Sequence, residues 1–381
     1  MNSGIKLGIS AVIIIAVILS STSNFNWASL VGISDTSDKQ SNQDKENNNI
    51  SLNVAYFPNL NHASAIIGFE NGNFKKIINS ASNSKNISIN ERVFNSAPAV
   101  IEAIYAGQID VAYINPNSII DGYLLLGPNG FKIISGASSG GASFVVRNDS
   151  GIESHSDLGG KKFASPQLGS TQDVALRKYL QDNGFDTLPK GGNVTVINSK
   201  PADIISQFQN KEIDGAWVPE PIATILHQLY QGKILVDERD LWPDGKFVTS
   251  DIIVRTDYLE QNPDVIKKLL EAHIDETKWL TEKLADANNT QNVEEVVTGF
   301  NKGLSKITGK MYPQNQLREA LSRIDFTVDP LPDTLLSISN SSNNLGFIKT
   351  GSNWNDGIAK IYDLTILNQV LSEKGENQIN T

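Results

Sequence analysis

The feature that most constrains the fold of this chain is a pair of sequence matches, each about a hundred residues apart and in the same order. Residues 94–99 read FNSAPA and residues 197–202 read INSKPA, and each is followed by a helical and then a strand-like stretch. Further along, residues 144–149 (FVVRND) match residues 252–257 (IIVRTD). Solenoid repeats are shorter, at roughly 20–50 residues. A repeat of this length predicts two similar lobes, with a cleft between them where ligands bind.

Alternating strand-like and helical stretches predict that both lobes are α/β, with mostly parallel sheets. Strand patterns cover residues 52–57, 109–114, 131–134, 143–147 and 194–197, and helical patterns cover residues 99–105, 174–181 and 204–208. Beyond residue 262 the pattern becomes helical, over residues 265–284, 290–310, 314–324, 332–339 and 358–374. We expect these C-terminal helices to pack on the first lobe.

The N-terminal region is typical of an exported protein. Lys6 precedes an apolar run over residues 7–19, which suits a secretory signal and is shorter than the roughly 20 residues that span a bilayer. Residues 1–33 are therefore predicted to be a signal peptide or an N-terminal membrane anchor. Residues 34–50, which are polar, are predicted to be a disordered tether. Lobe I is expected to comprise residues 51–147 and 250–381, and lobe II residues 148–249.

The composition argues against several classes of function. The 381-residue chain carries a net charge of −10, which argues against nucleic acid as a partner. It has no cysteine and four dispersed histidines, so disulfides, thiolate chemistry and a zinc site are not expected. Residues 136–140 match the G-x-S-x-G pattern of hydrolases, but a strand-like stretch follows where that motif needs a helix. The sequence predicts a protein that is not an enzyme and uses no cofactor or metal.

Donor-rich segments follow the predicted strands or open the predicted helices, where α/β sheets bind ligands and helix amides favour anions. These segments are residues 58–63, 115–118, 138–142, 168–173 and 217–221, together with Ser96. Several of their residues also have a simpler interpretation. Ser96 and Ser170 suit helix N-caps, and His62 suits a packed surface residue. Trp217 suits a core position, and Glu220 suits a hinge or closure contact.

Six segments, in order along the chain, resemble the sulfonate/nitrate/taurine-type substrate-binding proteins of ABC importers. They are residues 53–74, 93–117, 139–147, 165–177, 215–224 and 240–259. The resemblance extends from residue 52 to residue 374. It implies a type II periplasmic-binding fold, in which two α/β lobes are joined by two crossovers, enclose a cleft and carry C-terminal helices on the first lobe. This agrees with the two lobes predicted by the internal repeat.

The resemblance also implies a site, a ligand class and partners. Carried onto matching positions, it implicates as ligand-binding residues Asn61, His62, Ser96, Asn115, Gly141, Ser170, Thr171, Trp217 and Glu220. The implied ligand is a small oxyanion or organic anion, with sulfonate first and nitrate, bicarbonate or taurine next. The implied partner is the importer's permease, and the binding protein is expected to be a monomer outside the cytoplasm.

Two features depart from this pattern and leave alternatives open. The lipoprotein cysteine of many relatives is absent, which favours an uncleaved N-terminal membrane anchor. An acidic Glu220 facing the site suits a ligand amine, as in taurine, or a structural role. The alternative functions are a binder of a thiamine-precursor pyrimidine and the ectodomain of a surface sensor.

Overall fold

The computed structural model describes residues 49–81, 86–286, 289–348 and 357–380. The predicted signal peptide or anchor over residues 1–33 lies outside the described residues, as does the predicted tether except for its last two residues. Those two, Asn49 and Ile50, already belong to the first strand. A search of the described part for helices long and apolar enough to span a bilayer finds none.

The first lobe is built on a six-stranded sheet. Its strands are β1 (Asn49–Tyr56), β2 (Asn86–Val93), β3 (Val111–Ile114), β4 (Phe131–Gly140), β10 (Val248–Arg255) and β11 (Ile324–Phe326). They lie in the order β11–β4–β10–β3–β1–β2. β1 pairs in parallel with β2 and β3, whereas β10 is antiparallel to β3 and β4, and β11 is antiparallel to β4.

The second lobe is built on a five-stranded sheet. Its strands are β5 (Ala142–Arg147), β6 (Lys162–Ser165), β7 (Thr195–Asn198), β8 (Gly215–Pro219) and β9 (Gly232–Asp237). They lie in the order β7–β6–β8–β5–β9. β6 is parallel to β7 and β8, whereas β5 is antiparallel to β8 and β9.

Helices cover both faces of each sheet. They are α1 (Ala63–Glu70), α2 (Asn73–Asn79), α3 (Ala97–Tyr105), α4 (Pro116–Leu126), α5 (Thr171–Asp182), α6 (Pro201–Gln209), α7 (Ile222–Tyr230), α8 (Thr256–Gln261), α9 (Pro263–Leu284), α10 (Thr290–Thr308), α11 (Gln314–Leu321), α12 (Pro332–Asn344) and α13 (Thr365–Glu373). Five of them, α3, α4, α6, α9 and α12, have a proline in the first turn, where its missing N–H costs no helical hydrogen bond.

The C-terminal helices pack on the first lobe, as predicted. Helices α9, α10, α11 and α13 join α1 over one face of its sheet, and Ile266, Val297 and Leu367 lie in that core. Helix α12 joins α3 and α4 over the other face through Leu335. The predicted helix over residues 358–374 is shorter, because α13 begins at Thr365. In the second lobe, α6 and α7 cover one face of the sheet and α5 covers the other.

The internal repeat is visible in the order of the strands. The run β4–β10–β3–β1–β2 of the first sheet has the same arrangement as β9–β5–β8–β6–β7 of the second. The first sequence match corresponds to the strand–helix–strand units β2–α3–β3 and β7–α6–β8. The second match corresponds to β5 and β10, which occupy equivalent places in the two sheets. The two similar α/β lobes are therefore confirmed.

The strand pairing corrects the predicted lobe boundaries. The prediction assigned residues 142–147 to the first lobe, but β5 pairs with β8 and β9 of the second sheet. The chain therefore crosses between lobes after Gly140 rather than after Arg147. It returns before β10, whose first residue, Val248, already pairs with β4, so the second boundary lies two residues before the predicted one. The first repeat in the sequence therefore ends with β5, a central strand of the second sheet, and the second repeat ends with β10, a central strand of the first sheet.

Two glycines make the first crossover possible. Gly140 has φ +77° and Gly141 has φ +75°, a left-handed conformation that side chains with a Cβ rarely adopt. A Cβ on Gly141 would also lie 2.5 Å from Cγ1 of Ile324 on β11. The crossover therefore requires glycine for its backbone conformation and for its packing.

We expect Gly141→Ala to lower the free energy of unfolding by about 2–4 kcal/mol, because strain and overpacking add. The matched control is Gly160→Ala, since Gly160 has the same φ of +75° but no atom within 4 Å of an added Cβ. Its expected loss is about 1 kcal/mol. Urea unfolding followed by circular dichroism measures both, and equal losses would contradict the packing argument.

Candidate functional site

The predicted site residues lie along one edge of each sheet. In the first sheet, β1 and β3 end and β10 begins at the edge where β4 crosses into β5. In the second sheet, β6 and β8 end and β5 begins at the corresponding edge. These are the carboxyl ends of the parallel strands, where ligands bind in α/β folds. The fold therefore places the donor-rich segments of both lobes at the cleft between them.

Three predicted site residues meet at the crossover itself. The Asn61 side chain donates from Nδ2 to the Gly140 carbonyl at 3.5 Å. The Gly141 N–H donates to the Arg323 carbonyl at 2.7 Å. The Gly141 carbonyl accepts from the Glu220 N–H at 2.8 Å. Two adjacent glycines thus make hydrogen bonds with three separate segments. These are the connection after β1, the end of β8 and the segment before β11.

The Glu220 side chain makes the structural contact that was its alternative interpretation. It is fully buried, and its Oε1 accepts from Nη1 of Arg323 at 3.0 Å. Its Oε2 accepts from the Thr224 N–H at 3.0 Å. Burial raises the pKa of Glu220, and the Arg323 guanidinium opposes that rise. Because both oxygens are engaged within the protein, the interpretation of Glu220 as an acceptor for a ligand amine is not supported.

The indole of Trp217 lies in the core of the second lobe rather than along the cleft. It is fully buried and stacks on Phe144, with ring centroids 5.4 Å apart. Its Nε1 donates to Oε2 of Glu238 at 2.7 Å, and burial raises the pKa of that carboxyl to about 7. The core position that was the simpler interpretation of Trp217 therefore fits the structure, and a contact of its side chain with a ligand is not supported.

Asn61 and His62 are buried at the carboxyl end of β1, in a short 3-10 turn over Leu60–His62. Oδ1 of Asn61 and Nδ1 of His62 have no hydrogen-bond partner within the described structure. The ring of Phe57 lies 5.2 Å from that of His62. Burial lowers the pKa of His62 to about 3, so its imidazole is neutral at physiological pH. A neutral imidazole with a free nitrogen can donate or accept one hydrogen bond, depending on its tautomer.

The remaining predicted residues lie at helix starts. Ser170 caps α5 by accepting from the Asp173 N–H at 3.4 Å, and Asn115 caps α4 by accepting from the Ser118 N–H at 3.1 Å. Ser96 precedes α3 without a side-chain cap bond and is exposed. The three helices therefore present their N-terminal amides at this edge of the sheets. The N-cap interpretation holds for Ser170, and Ser96 lies at the N-cap position without forming its bond.

Thr171 differs from its neighbour Ser170. It is 4% exposed, and its Oγ1 has no hydrogen-bond partner within the described structure. A buried hydroxyl without a partner costs free energy unless a ligand or water binds it. Thr171 is therefore the second-lobe counterpart of Asn61 and His62.

The hydroxyl groups of the G-x-S-x-G match take part in the crossover. Residues 136–140 form the end of β4, and the strand predicted to follow them is β5. The Ser138 hydroxyl lies 3.1 Å from that of Thr249, and the Ser139 hydroxyl accepts from the Phe247 N–H at 3.1 Å. Among the described residues, no group of three or more histidine and acidic side chains is placed to hold a metal ion.

Two residues near this edge were not predicted from the sequence. Arg323 is the partner of Glu220, but the two are about a hundred positions apart and no local pattern connects them. Asp251 lies on β10 opposite Ile114 and is fully buried, with both carboxylate oxygens unpartnered in the described structure. Burial raises the pKa of Asp251 well above its ordinary value. An acidic residue within an apolar strand pattern was the signal that could have identified it.

His62 gives a prediction for stability against pH. The pKa of His62 is about 3 in the folded protein and about 6.5 in an unfolded chain, so the unfolded state binds the extra proton between these values. The free energy of unfolding should therefore fall as the pH drops from about 6.5 towards 3. In His62→Gln the slope of the free energy of unfolding against pH should be smaller, by the equivalent of up to one bound proton. Urea midpoints at pH 4, 5, 6 and 7 measure it, with the exposed His155→Gln as control. An unchanged slope in His62→Gln would refute the assignment.

Comparison with known proteins supports the resemblance. A Brucella abortus protein named as a binding protein is 32% identical over 204 residues, which are 53% of this chain and 59% of that protein. The Escherichia coli taurine-binding periplasmic protein is 24% identical over 249 residues, covering 63% of this chain and 75% of that protein. The matched region thus spans less than two thirds of the Brucella relative.

Solved structures share the fold. The periplasmic sulfonate-binding protein of Methylobacillus flagellatus matches with a TM-score of 0.66 at 18% identity, over 87% of this chain and 96% of that one. The type II periplasmic-binding fold is thereby confirmed. A family model described as the NMT1-like family matches residues 45–297, which is more than half of the chain. The chain therefore belongs to the NMT1-like family.

Proposed function

We propose that this protein is an extracytoplasmic solute-binding protein of an ABC importer that captures a small organic or inorganic monoanion, with a sulfonate as the first candidate. The relatives named for binding taurine and sulfonates support the ligand class. The proposed partner is the permease of the importer, which receives the closed, loaded protein. The N-terminal segment is proposed to deliver the chain to the outside of the membrane and to hold it there.

The observation that carries this proposal is the presence of unpartnered, buried polar atoms on both sides of the cleft. Nδ1 of His62 and Oδ1 of Asn61 lie on the first lobe, and Oγ1 of Thr171 lies on the second. An unsatisfied buried polar group costs about 1–3 kcal/mol, which a bound ligand would offset. Pairing on both lobes at once would make a ligand favour the closed arrangement.

The charges around the cleft favour a monoanion. Three arginines at this edge are each paired with a carboxylate: Arg177 with Asp173 at 2.9 Å, Arg239 with Asp237 at 2.7 Å and Arg323 with Glu220 at 3.0 Å. Neutral donors and helix amides would then hold the ligand, and hydrogen bonds to a charged group contribute roughly 1.5–3 kcal/mol each. Such a site offsets one negative charge more readily than two, so sulfate should bind more weakly than a sulfonate.

The ligand class is tested by calorimetry and thermal shift on the purified protein. The panel is ethanesulfonate, taurine, nitrate, bicarbonate, sulfate and a thiamine-precursor pyrimidine. At a hundredfold excess over its dissociation constant, a ligand should stabilise the folded protein by about 2.7 kcal/mol. Binding of the pyrimidine alone would support the alternative function. If no compound raises the melting temperature or gives heat, the proposal is wrong.

Thr171 allows a matched mutational test. Thr171→Val keeps the shape of the side chain and removes the hydroxyl, so it should weaken ligand binding about tenfold with little loss of stability. The control is Thr256→Val. Thr256 also opens a helix and has an unpartnered Oγ1, but it lies at the opposite edge of the first sheet, after the end of β10. Equal dissociation constants for wild type and Thr171→Val would remove Thr171 from the site.

A further inference from the structure

Helix α12 is anchored to the first lobe. Leu335 and Ile338 belong to the core between this helix and α3 and α4. The Asn117 side chain, in the first turn of α4, donates from Nδ2 to the Ser342 hydroxyl at 2.8 Å, and both residues are buried. The Val248 N–H, at the start of β10, donates to the Thr334 hydroxyl at 3.0 Å. Both hydrogen bonds hold α12 at the cleft edge of the first sheet.

The residues after α12 reach the second lobe. The guanidinium carbon of Arg177 on α5 lies 5.8 Å from the centre of the Phe347 ring. The same ring lies beside Gly169, where an added Cβ would be 3.4 Å from its Cδ1. Leu345 and Phe347 also line a cavity of about 380 Å³ with Leu168 and other residues of the second lobe. Phe347 thus contacts the loop that leads directly into the helix start carrying Thr171.

A second contact joins the lobes on the other face of each sheet. It combines polar contacts with the side chain of Tyr312, which packs against apolar clusters of both lobes. There Arg323 pairs with Glu220, and Nδ2 of Asn315 donates to Oε1 of Gln228 on α7 at 3.1 Å. Gln228 also donates to Glu319 of α11. The Arg323 carbonyl binds the crossover as well. This side of the cleft carries the connections that must persist when the lobes move.

The α5–α12 side is held differently. Its contacts to Phe347 consist of one half-buried aromatic ring against a guanidinium and a glycine, with no hydrogen bond from the ring. Loss of a cation–π contact and of partial apolar burial is a small, reversible change. In contrast, opening the other side would separate the buried Glu220–Arg323 pair, which is costly. This difference favours opening on the side of Phe347.

We propose that Phe347 is a closure latch: residues 332–348 move with the first lobe, and the Phe347 ring engages α5 of the second lobe only when the cleft is closed. The latch sets the balance between open and closed molecules before any ligand binds, so it tunes the affinity for the ligand. This role in ligand capture rests on the proposed solute-binding function. The Glu220–Arg323 side acts as the hinge.

The latch is tested by measuring the distance between the lobes without ligand. Since the chain has no cysteine, Glu102→Cys on α3 and Asp182→Cys on α5, both exposed, take spin labels at those positions alone. In Phe347→Ala the distribution of inter-label distances should shift to longer values, with the ratio of open to closed molecules rising about tenfold. Phe347→Leu, which keeps an apolar side chain, should give an intermediate shift.

The control is Leu125→Ala, which removes an apolar side chain that is 77% exposed, near the end of α4 and away from the cleft edge. It should leave the distances as in the wild type. Wild-type distances in both Phe347 variants would overturn the latch, provided that circular dichroism shows them to be folded. If Phe347→Ala fails to fold, the Leu variant decides the question.

The outcome separates the latch from the proposed function. Because the distances are measured without ligand, a shift in Phe347→Ala supports the latch even if every compound of the ligand panel fails to bind. Conversely, a compound that binds wild type and Phe347→Ala equally, with unchanged distances, leaves the binding function intact and rejects the latch. If the latch and the binding function are both correct, the dissociation constant of Phe347→Ala should rise by the same factor by which its closed fraction falls.

Discussion

Between β4 and β5 the chain passes from one sheet to the other through two glycines in the left-handed conformation, and their peptide groups collect hydrogen bonds from three distant segments. Asn61 approaches from the end of β1, Glu220 from the end of β8, and the Arg323 carbonyl from the segment before β11. A buried backbone group must be paired, so these contacts are obligatory. They align the cleft edges of both sheets and attach the C-terminal helices to the same point.

Electrostatics follow from this arrangement. The crossover buries Glu220, which requires Arg323, and Arg323 in turn binds Glu319 on α11. Because Glu220, Arg177, Arg239 and Arg323 are paired internally, the groups that this edge offers a ligand include helix amides and neutral side chains such as His62, whose pKa burial lowers to about 3. Separating the buried Glu220–Arg323 pair would cost free energy, so the proposed opening takes place on the side of Phe347. The proposed ligand class and the proposed direction of opening thus have a common origin.

The parts of the fold that were predicted correctly are mainly those that the internal sequence repeat covers. The FNSAPA and INSKPA matches correspond to equivalent strand–helix–strand units, and the FVVRND and IIVRTD matches to equivalent central strands. The alternation of patterns identified α3, α5 and α6, while β2, β6, β9 and β11 were missed. Most residues of β2 are polar, β6 and β11 have only four and three residues, and β9 begins and ends with small or polar residues. The lobe boundary was misplaced because β5 follows the first lobe in the chain but pairs in the second.

The sequence predicted the candidate site as a set of strand ends. It did not predict which role each residue has there. Sequence position puts Trp217 and Glu220 at the end of β8, but the inward direction of one side chain and the partner of the other depend on what packs there. Thr171 and Ser170 look alike in sequence, although only one hydroxyl is left without a partner in the described structure. Burial and pairing are properties of the assembled lobes.

The sequence by itself determined the two-lobe architecture, the edge at which the donor-rich segments gather and the absence of cysteine chemistry, because periodicity, glycine positions and composition are local properties. Only the tertiary structure decided that β5 belongs to the second lobe, that Arg323 pairs with Glu220, and that α12 brings Phe347 against the second lobe. Each of these joins residues far apart in the chain, and such contacts depend on how the sheets pack rather than on any pattern along the sequence.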